Sequence, residues 1–199
     1  MERRAVMAEQ LINGQVIEAC QQGDRDAFHS LFVAYRDKVF SIAVYSSGGD
    51  RSVAEDVTQQ IFVKLFTAIR QFRGDSEFTT WLYRLVVNAC MDERRRRRRL
   101  LPWGTTETTV AMSNVSDRKP QERQYARLEI SEAVRNAISE LKPKFRLPIL
   151  LKYIEGLSYE EIAEVMGCSK GTVASRLNRG HSQLAKRLSH LNNPALWGD

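Results

Sequence analysis

The chain has 199 residues, of which 43% are hydrophobic and 27% are charged, and its formal net charge is +6. This composition excludes global disorder, and the length predicts one ordinary domain or two small ones. The longest uninterrupted apolar stretch, Leu31–Tyr35, is far below the ~18 residues that span a membrane, and Met1–Gln10 has no apolar segment of a secretory signal. We therefore expect a cytoplasmic protein.

The positive charge is concentrated in two segments. Arg94–Arg99 contains six arginines, which account for the whole net charge of +6. Gly167–His190 has five lysines and arginines and no Asp or Glu. Two separate basic surfaces in an otherwise balanced protein indicate polyanion contacts at two places. Either segment taken alone is equally consistent with a solvent-exposed charged surface that binds nothing.

The sequence has no catalytic or metal-binding pattern. Cys20, Cys90 and Cys168 lie far apart, and no histidine flanks them at metal-ligand spacing, so zinc and disulfides are both unexpected. No nucleophile–base constellation or Gly-rich phosphate loop is present, and the adjacent Glu55 and Asp56 would diverge on a helix. We therefore do not expect an enzyme, a cofactor, a metal site or a small-molecule substrate.

The first hundred residues predict one helix after another. A short segment, Val16–Gln22, ends before a glycine, and Asp24 caps a longer helix. Ser52 and Glu55 form a capping-box pattern at the start of the next helix. Ser76 is positioned to cap a last helix, which runs directly into the arginines. These patterns predict an all-helical N-terminal domain that ends near residue 101.

The composition changes after this domain. Pro102–Pro120 has too few apolar groups to offset the entropy of ordering, so we expect a linker. Helical periodicity resumes over Gln121–Leu141, and Pro143 suits the first turn of another helix. Pro148 lies deeper in that helix, where it is expected to produce a kink. The second domain is therefore also predicted to be all helical.

The strongest local signal lies in Leu157–Leu188. Ser158 and Glu161 form a capping box, and Gly167 ends a helix of little more than two turns. Ser169 then caps a second, basic helix, and two helices joined by a short glycine turn are typical of a helix-turn-helix. The caps, the turn glycine and the absence of acids favour DNA binding over a hairpin that packs on something else.

The second of these helices has the expected duplex-reading face. If Val173 and Leu177 face inward, their neighbours point outward to base edges in the major groove. The outward residues are Ala174, Ser175, Asn178 and Arg179. The residues at the helix start and those placed for phosphates are Ser169, Lys170, Thr172 and Arg176.

The loop Phe72–Phe78 has a different chemistry, because it is polar with an aromatic residue at each end. Rings beside polar groups and a basic helix suit single-stranded DNA, since bases stack on rings while cations hold the backbone. The same rings are also candidates for the hydrophobic core. For Trp81 in particular, a place in the core is favoured over a role as a stacking surface for bases.

The segment Ala54–Phe62 presents glutamines and carboxylates but few cations. It is a poor DNA surface and a plausible protein-docking surface. An ordinary solvated helix has the same composition.

The order and spacing of these motifs resemble the extracytoplasmic-function (group IV) sigma factors of bacterial RNA polymerase, over about residues 15–100 and 125–190. The resemblance rests on Asp26-Ala27-Phe28, Ala54-Glu55-Asp56-Val57, Phe78-Thr79-Thr80-Trp81-Leu82, Gly156–Ala163 and Gly171-Thr172-Val173. It implies two helical domains, sigma-2 over residues 16–100 and sigma-4 over 123–191, with a flexible linker over 101–122. Residues 1–15 would form an extension and residues 192–199 a tail.

The resemblance also implies what each surface binds. The helix with Glu55, Asp56, Gln59, Gln60 and Phe62 would dock on the clamp helices of the largest polymerase subunit. The loop and the helix after it would capture a flipped base of the melted −10 non-template strand, and the Ser169–Gly180 helix would read the −35 duplex. The −10 residues are Phe72, Arg73, Asp75, Ser76, Thr79, Thr80, Tyr83, Arg84, Asn88, Arg95 and Arg96.

The implied partners are core RNA polymerase, including the flap of its second-largest subunit, promoter DNA and an anti-sigma factor. We further expect the Arg94–Arg99 run to contact the DNA backbone near the −10 element. A stand-alone helix-turn-helix regulator is the alternative, but it leaves the Phe72–Phe78 loop and the docking helix without a role.

Overall fold

The computed structural model describes residues 12–100 and 122–189, with side chains for 12–99 and 130–189. Every regular element in these ranges is helical, which confirms the all-α prediction. None of these helices combines the length and the apolar character needed to cross a membrane. The α-helices are α1 (Gly14–Gln22), α2 (Arg25–Ser46), α3 (Arg51–Ala68), α4 (Phe78–Leu100), α5 (Glu122–Ser139), α6 (Pro143–Tyr153), α7 (Tyr159–Met166) and α8 (Lys170–Arg187), and Ile69–Gln71 is a 3₁₀ turn.

The first domain is built from α1 to α4, which pack around a core of buried aliphatic and aromatic side chains. Asp24 caps α2 as predicted, because its carboxylate accepts from the amides of Asp26 and Ala27 at 2.8 and 3.0 Å. Leu31 and Val39 on α2 and Ile61 on α3 are fully buried. Their helical spacing produces the apolar stripes that hold the domain together.

Two predicted helix starts in this domain are wrong. The capping box of Ser52 and Glu55 does not form: α3 begins at Arg51, and the Asp50 carboxylate accepts from the Val53 amide at 3.1 Å. Gly49, at φ 92°, turns the chain so that Asp50 reaches the N-cap position first. Ser76 does not stand at the N-cap of α4, because that helix begins at Phe78.

The second domain follows its predicted pattern closely. The capping box of Ser158 and Glu161 is complete: the Glu161 carboxylate accepts from the Ser158 amide at 2.7 Å, and Ser158 Oγ accepts from the Glu161 amide at 3.2 Å. Gly167 ends α7 in the left-handed region at φ 58°, and Ser169 caps α8. The helix α6 begins at Pro143 and continues through Pro148.

The two domains lie against each other rather than apart. The helix α4 of the first domain packs along α7, and α2 contacts both α5 and α6. Buried residues of both domains form one continuous apolar cluster. The expected linker 101–122 and tail 192–199 lie outside the described residues apart from Glu122, which begins α5. At the other end, α1 begins at Gly14, two residues before the expected domain start.

Candidate nucleic-acid interface

The outer face of α8 matches the predicted duplex-reading face. Val173 and Leu177 are fully buried, and they fix the rotation of the helix about its own axis. Ser175, Asn178 and Arg179 are exposed on the opposite side, while Ala174 is partly buried. The amide and guanidinium groups are therefore presented together on one exposed surface. These side chains can donate and accept at base edges in a major groove.

The N-terminus of α8 adds hydrogen-bond donors to this surface. Ser169 Oγ accepts from the Thr172 amide at 3.2 Å and lies 2.9 Å from Thr172 Oγ1. The ammonium of Lys170 pairs with Glu160 of α7 on the exposed surface. Arg176 Nη1 lies 3.7 Å from Cys168 Sγ. A capped helix N-terminus with flanking cations is a favourable site for a phosphate.

The aromatic residues of the Phe72–Phe78 loop pack on one another. Phe72 and Phe78 meet edge to face with their ring centroids 5.6 Å apart, and Trp81 lies 5.3 Å from Phe72. Phe78 is buried, so this cluster is part of the core of the domain. Between the rings, Arg73 and Asp75 are exposed at the tip of the loop, and Ser76 is partly buried. The rings thus form the base of the loop, and its polar residues remain available.

Gln21 of α1 anchors the start of this loop, a role that the sequence did not reveal. Its Nε2 donates to the carbonyl oxygens of Ile69 and Phe72 at 3.1 and 2.8 Å. The two acceptors lie about fifty residues away along the chain, and no local pattern marks such a contact. A single side-chain amide therefore fixes the chain direction where the 3₁₀ turn passes into the loop.

Gln21→Ala is expected to loosen the loop, because two half-buried carbonyl oxygens lose their donor. We expect the free energy of unfolding to fall by about 1–2 kcal/mol. Urea denaturation measures this loss, and Gln22→Ala on the same helix, where the side chain is exposed, is the control. Equal stability of the two variants would contradict the anchoring role.

The expected −10 residues on α4 divide into exposed and buried groups. Asn88 and Arg84 are exposed, and Thr79 is partly so. Thr80 and Tyr83 are 1% and 2% exposed. Tyr83 OH donates to the Glu155 carboxylate of the second domain, and Arg84 Nη1 lies 3.8 Å from Glu164 Oε1 of α7. In this arrangement the second domain covers the middle of α4.

The arginine run is partly neutralised by nearby acids. Arg96 forms a bidentate pair with Glu93 at 2.8 and 3.1 Å, and Arg95 Nη1 lies 3.3 Å from Asp92 Oδ1. Arg97 Nη2 reaches Asp50 Oδ2, at the cap of α3, at 3.3 Å. The hydrogen bond and the charge of Glu93, with a further contribution from the charge of Asp56, raise the pKa of Arg96. Arg95 and Arg96 themselves remain exposed.

The expected docking residues on α3 occupy two sides of that helix. Glu55, Gln59 and Phe62 line a groove of about 840 Å³ between α2 and α3. Phe62 is 5% exposed, and its ring packs edge to face on that of Phe32. Asp56 and Gln60 are exposed but do not line the groove. The groove also contains Phe28, Phe40, Val63 and Phe66, which the sequence reasoning did not select.

The described part of the chain has no grouping of three His, Cys, Asp or Glu side chains suited to a metal ion. Cys20 and Cys90 are buried and Cys168 is partly buried.

Two family profiles match the chain in the predicted order. Residues 31–100 match Sigma-70 region 2, and residues 131–184 match Sigma-70, region 4. The chain is 37% identical to the RNA polymerase sigma-H factor of Pseudomonas aeruginosa, over 89% of this chain and 94% of that protein. It is 36% identical to the ECF RNA polymerase sigma-E factor of Escherichia coli, over 93% of this chain and 98% of that protein.

Solved structures support the same fold. CnrH, in complex with the cytosolic domain of CnrY, matches with a TM-score of 0.62 and 26% identity over 88% of this chain and 96% of that chain. The sigma factor RpoE, in complex with the anti-sigma factor NepR from Bartonella quintana, matches with a TM-score of 0.67 at 21% identity over 81% and 96% of the two chains. The chain therefore belongs to the sigma-70 family, as an ECF sigma factor that directs RNA polymerase to specific promoters.

Proposed function

We propose that α8 reads the −35 element as duplex DNA. The single observation that supports this role is the exposed face of Ser175, Asn178 and Arg179 directly opposite the buried Val173 and Leu177. Arg and Asn can pair bidentately with guanine and adenine in the major groove. Ala174 lies beside this face, and phosphates contact Ser169, Lys170, Thr172 and Arg176.

The polar tip of the Phe72–Phe78 loop and the face of α4 bind the melted −10 strand. Arg73, Asp75 and Ser76 receive an unstacked base at the tip of the loop, with the Phe72 ring beneath them at its base. Thr79, Arg84 and Asn88 continue this surface along α4, and Tyr83 joins it when the second domain moves away. Thr80 stays buried and supports the first turn. Unstacking a base costs a few kcal/mol, which capture in such a pocket offsets.

The surface of α3 docks on the clamp helices of the largest polymerase subunit. Glu55, Gln59 and Phe62 present the groove wall, and Asp56 and Gln60 present the neighbouring face. The hydrogen bond from Arg97 to the Asp50 carboxylate stabilises the N-terminal cap of this helix. The flap of the second-largest subunit binds the second domain. An anti-sigma factor also binds the chain, in line with the complex that the sigma factor RpoE forms with the anti-sigma factor NepR. The chain is then a group IV factor that acts in the cytoplasm and has no catalytic activity of its own.

The proposed domains are sigma-2 over residues 16–100 and sigma-4 over 123–191, with a linker over 101–122. Polymerase holds the two DNA contacts at a fixed spacing. Once one element is bound, binding of the second is effectively intramolecular, so two modest contacts become selective.

A gel-shift experiment with and without core polymerase tests this function. We expect the chain alone to bind a promoter fragment weakly and the mixture with core polymerase to bind it tightly. A stand-alone regulator, the alternative reading, would bind a palindromic site as a dimer without polymerase. Equal binding in both conditions would contradict the proposal.

Neutralising one arginine of the run is expected to flatten the salt dependence of promoter binding. Each phosphate contact contributes about 0.9 to the slope of log affinity against log salt, so Arg96→Gln should lower the slope by about this amount. Arg25→Gln, at the exposed start of α2, is the control with the same change in charge. An unchanged slope for Arg96→Gln would show that Arg96 does not contact the DNA backbone.

A further inference from the structure

The arginine run contains an ion pair in which the acid is buried and the cation is exposed. The Glu93 side chain is 10% exposed, whereas that of Arg96, one turn further along α4, is 64% exposed. Arg96 Nε donates to Glu93 Oε2 at 2.8 Å, and Arg96 Nη2 donates to Glu93 Oε1 at 3.1 Å. Two parallel bonds between a guanidinium and a carboxylate fix the plane of the guanidinium as well as its position. Glu93 therefore holds Arg96 in one orientation.

The neighbouring pair of Asp92 and Arg95 is held less firmly. Arg95 Nη1 lies 3.3 Å from Asp92 Oδ1, and the two side chains are 67% and 59% exposed. An exposed pair with one long contact does not fix the orientation of either side chain, and such pairs contribute little to stability. The spacing of three residues is the same as for Glu93 and Arg96. The burial of the acid and the second bond therefore distinguish the two pairs.

Arg96 can bind a second anion without leaving Glu93. A guanidinium has five N–H donors in a planar fork, and the bonds to Glu93 use that of Nε and one of Nη2. The opposite edge, formed by Nη1 and the second N–H of Nη2, matches the geometry of phosphate oxygens. Departure from Glu93 would be costly, because a largely buried carboxylate would lose its partner. The arrangement thus favours an anion that binds while the pair stays intact.

Arg96 also borders a concave surface. Asp92, Arg95, Arg96 and Arg99 line a depression of about 400 Å³ on one face of α4. Three of these four residues are cations, so an anion is favoured there. The phosphates of a nucleic-acid backbone are anions of this kind, and neutralising them with arginines releases counterions.

We propose that Glu93 is a positioning residue for DNA binding, which presents the outer edge of the Arg96 guanidinium to a backbone phosphate near the −10 element. The inference rests on the proposed function, because it takes the arginine run as a DNA contact. An arginine that is oriented in advance loses less rotational freedom when it binds, so the complex is more stable. A buried acid in this basic surface thereby strengthens DNA binding, although its charge alone would weaken it.

The test compares Glu93→Gln with Asp92→Asn in the full chain. Each substitution removes one negative charge from the same turn of α4 and nearly preserves the size of the side chain. Only Glu93 holds its arginine by two bonds, so Asp92→Asn is the matched control for charge. Fluorescence anisotropy with core polymerase and a labelled promoter fragment, over a series of salt concentrations, measures the affinity for DNA. Circular dichroism and the affinity for core polymerase check that each variant is folded.

We expect Asp92→Asn to strengthen promoter binding slightly, because it removes a charge that repels the phosphates. Glu93→Gln should bind about 2- to 12-fold more weakly than Asp92→Asn, which corresponds to the cost of immobilising one long side chain. In an Arg96→Gln background this difference should disappear, because Glu93 acts through Arg96.

Arg96→Lys is a second test, which leaves Glu93 and the net charge unchanged. Lysine is a point charge without a planar fork, so it cannot hold Glu93 and a phosphate in one fixed plane. We expect promoter binding to weaken, again by about 2- to 12-fold, while the salt dependence stays that of the wild type because the charge is kept.

Two results would overturn the positioning role: equal binding by Glu93→Gln and Asp92→Asn, or wild-type affinity of Arg96→Lys. If either occurs while Arg96→Gln lowers the salt dependence, the backbone contact stands and only the role of Glu93 is wrong. If Arg96→Gln leaves the slope unchanged, the backbone contact is wrong, and the positioning role with it. If core polymerase does not improve promoter binding by the wild type, the proposed function as a whole is wrong.

Discussion

Arg179→Ala should weaken promoter binding by the holoenzyme about 5- to 150-fold, the range expected for a base-contacting arginine. The side chain stands on the exposed face of α8, and the buried Val173 and Leu177 keep that face turned outward. Binding of core polymerase should not change, because Arg179 is not part of the docking surface on α3. Fluorescence anisotropy with a labelled promoter fragment measures the loss.

The control for this variant is Arg187→Ala in the last turn of the same helix. Arg187 pairs with Glu140 at 3.0 Å and lies about 12 Å further along the helix axis at 1.5 Å per residue. Arg187→Ala removes one positive charge, as Arg179→Ala does, but it removes no proposed base contact. If both variants weaken promoter binding equally, Arg179 contributes only general charge and the assignment of the reading face is wrong.

Gly180→Ala is expected to destabilise the second domain, whereas Gly171→Ala on the same helix should stabilise it. A Cβ at position 180 would lie 2.6 Å from Ile149 Cδ1 and 3.5 Å from the Phe145 carbonyl oxygen. Ile149 is 4% exposed and has little room to move. At Gly171 the nearest atom, Ser169 Oγ, is 4.0 Å away.

Ala gains about 1 kcal/mol of helix propensity over Gly in a helix interior, as at position 180, and no more than this in the first turn, as at position 171, so a lower stability of Gly180→Ala reports the cost of overpacking. We expect Gly180→Ala to be about 1–3 kcal/mol less stable than Gly171→Ala. Thermal or urea unfolding, followed by circular dichroism, measures this difference. Equal stabilities would show that α6 and α8 do not cross as closely at Gly180 as the structure has them.

Local signals in the sequence were sufficient for the all-helical fold, for the boundaries of α7 and for the rotation of α8. The Ser158–Glu161 capping box, Gly167 and Ser169 act within a few residues, so each can be recognised without knowing the rest of the fold. Asp50 displaced Ser52 as the cap of α3 because Gly49 sets the chain direction there, which composition does not reveal.

Contacts between distant parts of the chain could not be predicted in this way. Gln21 meets Phe72 across 51 residues, and Arg146 meets Tyr45 across 101 residues. The groove on α3 likewise depends on aromatic residues of α2, and no local pattern marks their position across the groove. The burial of Tyr83 follows from the closed arrangement of two domains, each of which has an ordinary helical pattern.

The most direct test of the central claim is run-off transcription with purified core polymerase and this chain on genomic DNA, followed by mapping of the start sites. We predict initiation at a limited set of positions that share one −35 and one −10 sequence at a fixed spacing, and loss of these starts with Arg179→Ala. Initiation that is equally scattered with and without the chain would contradict the account.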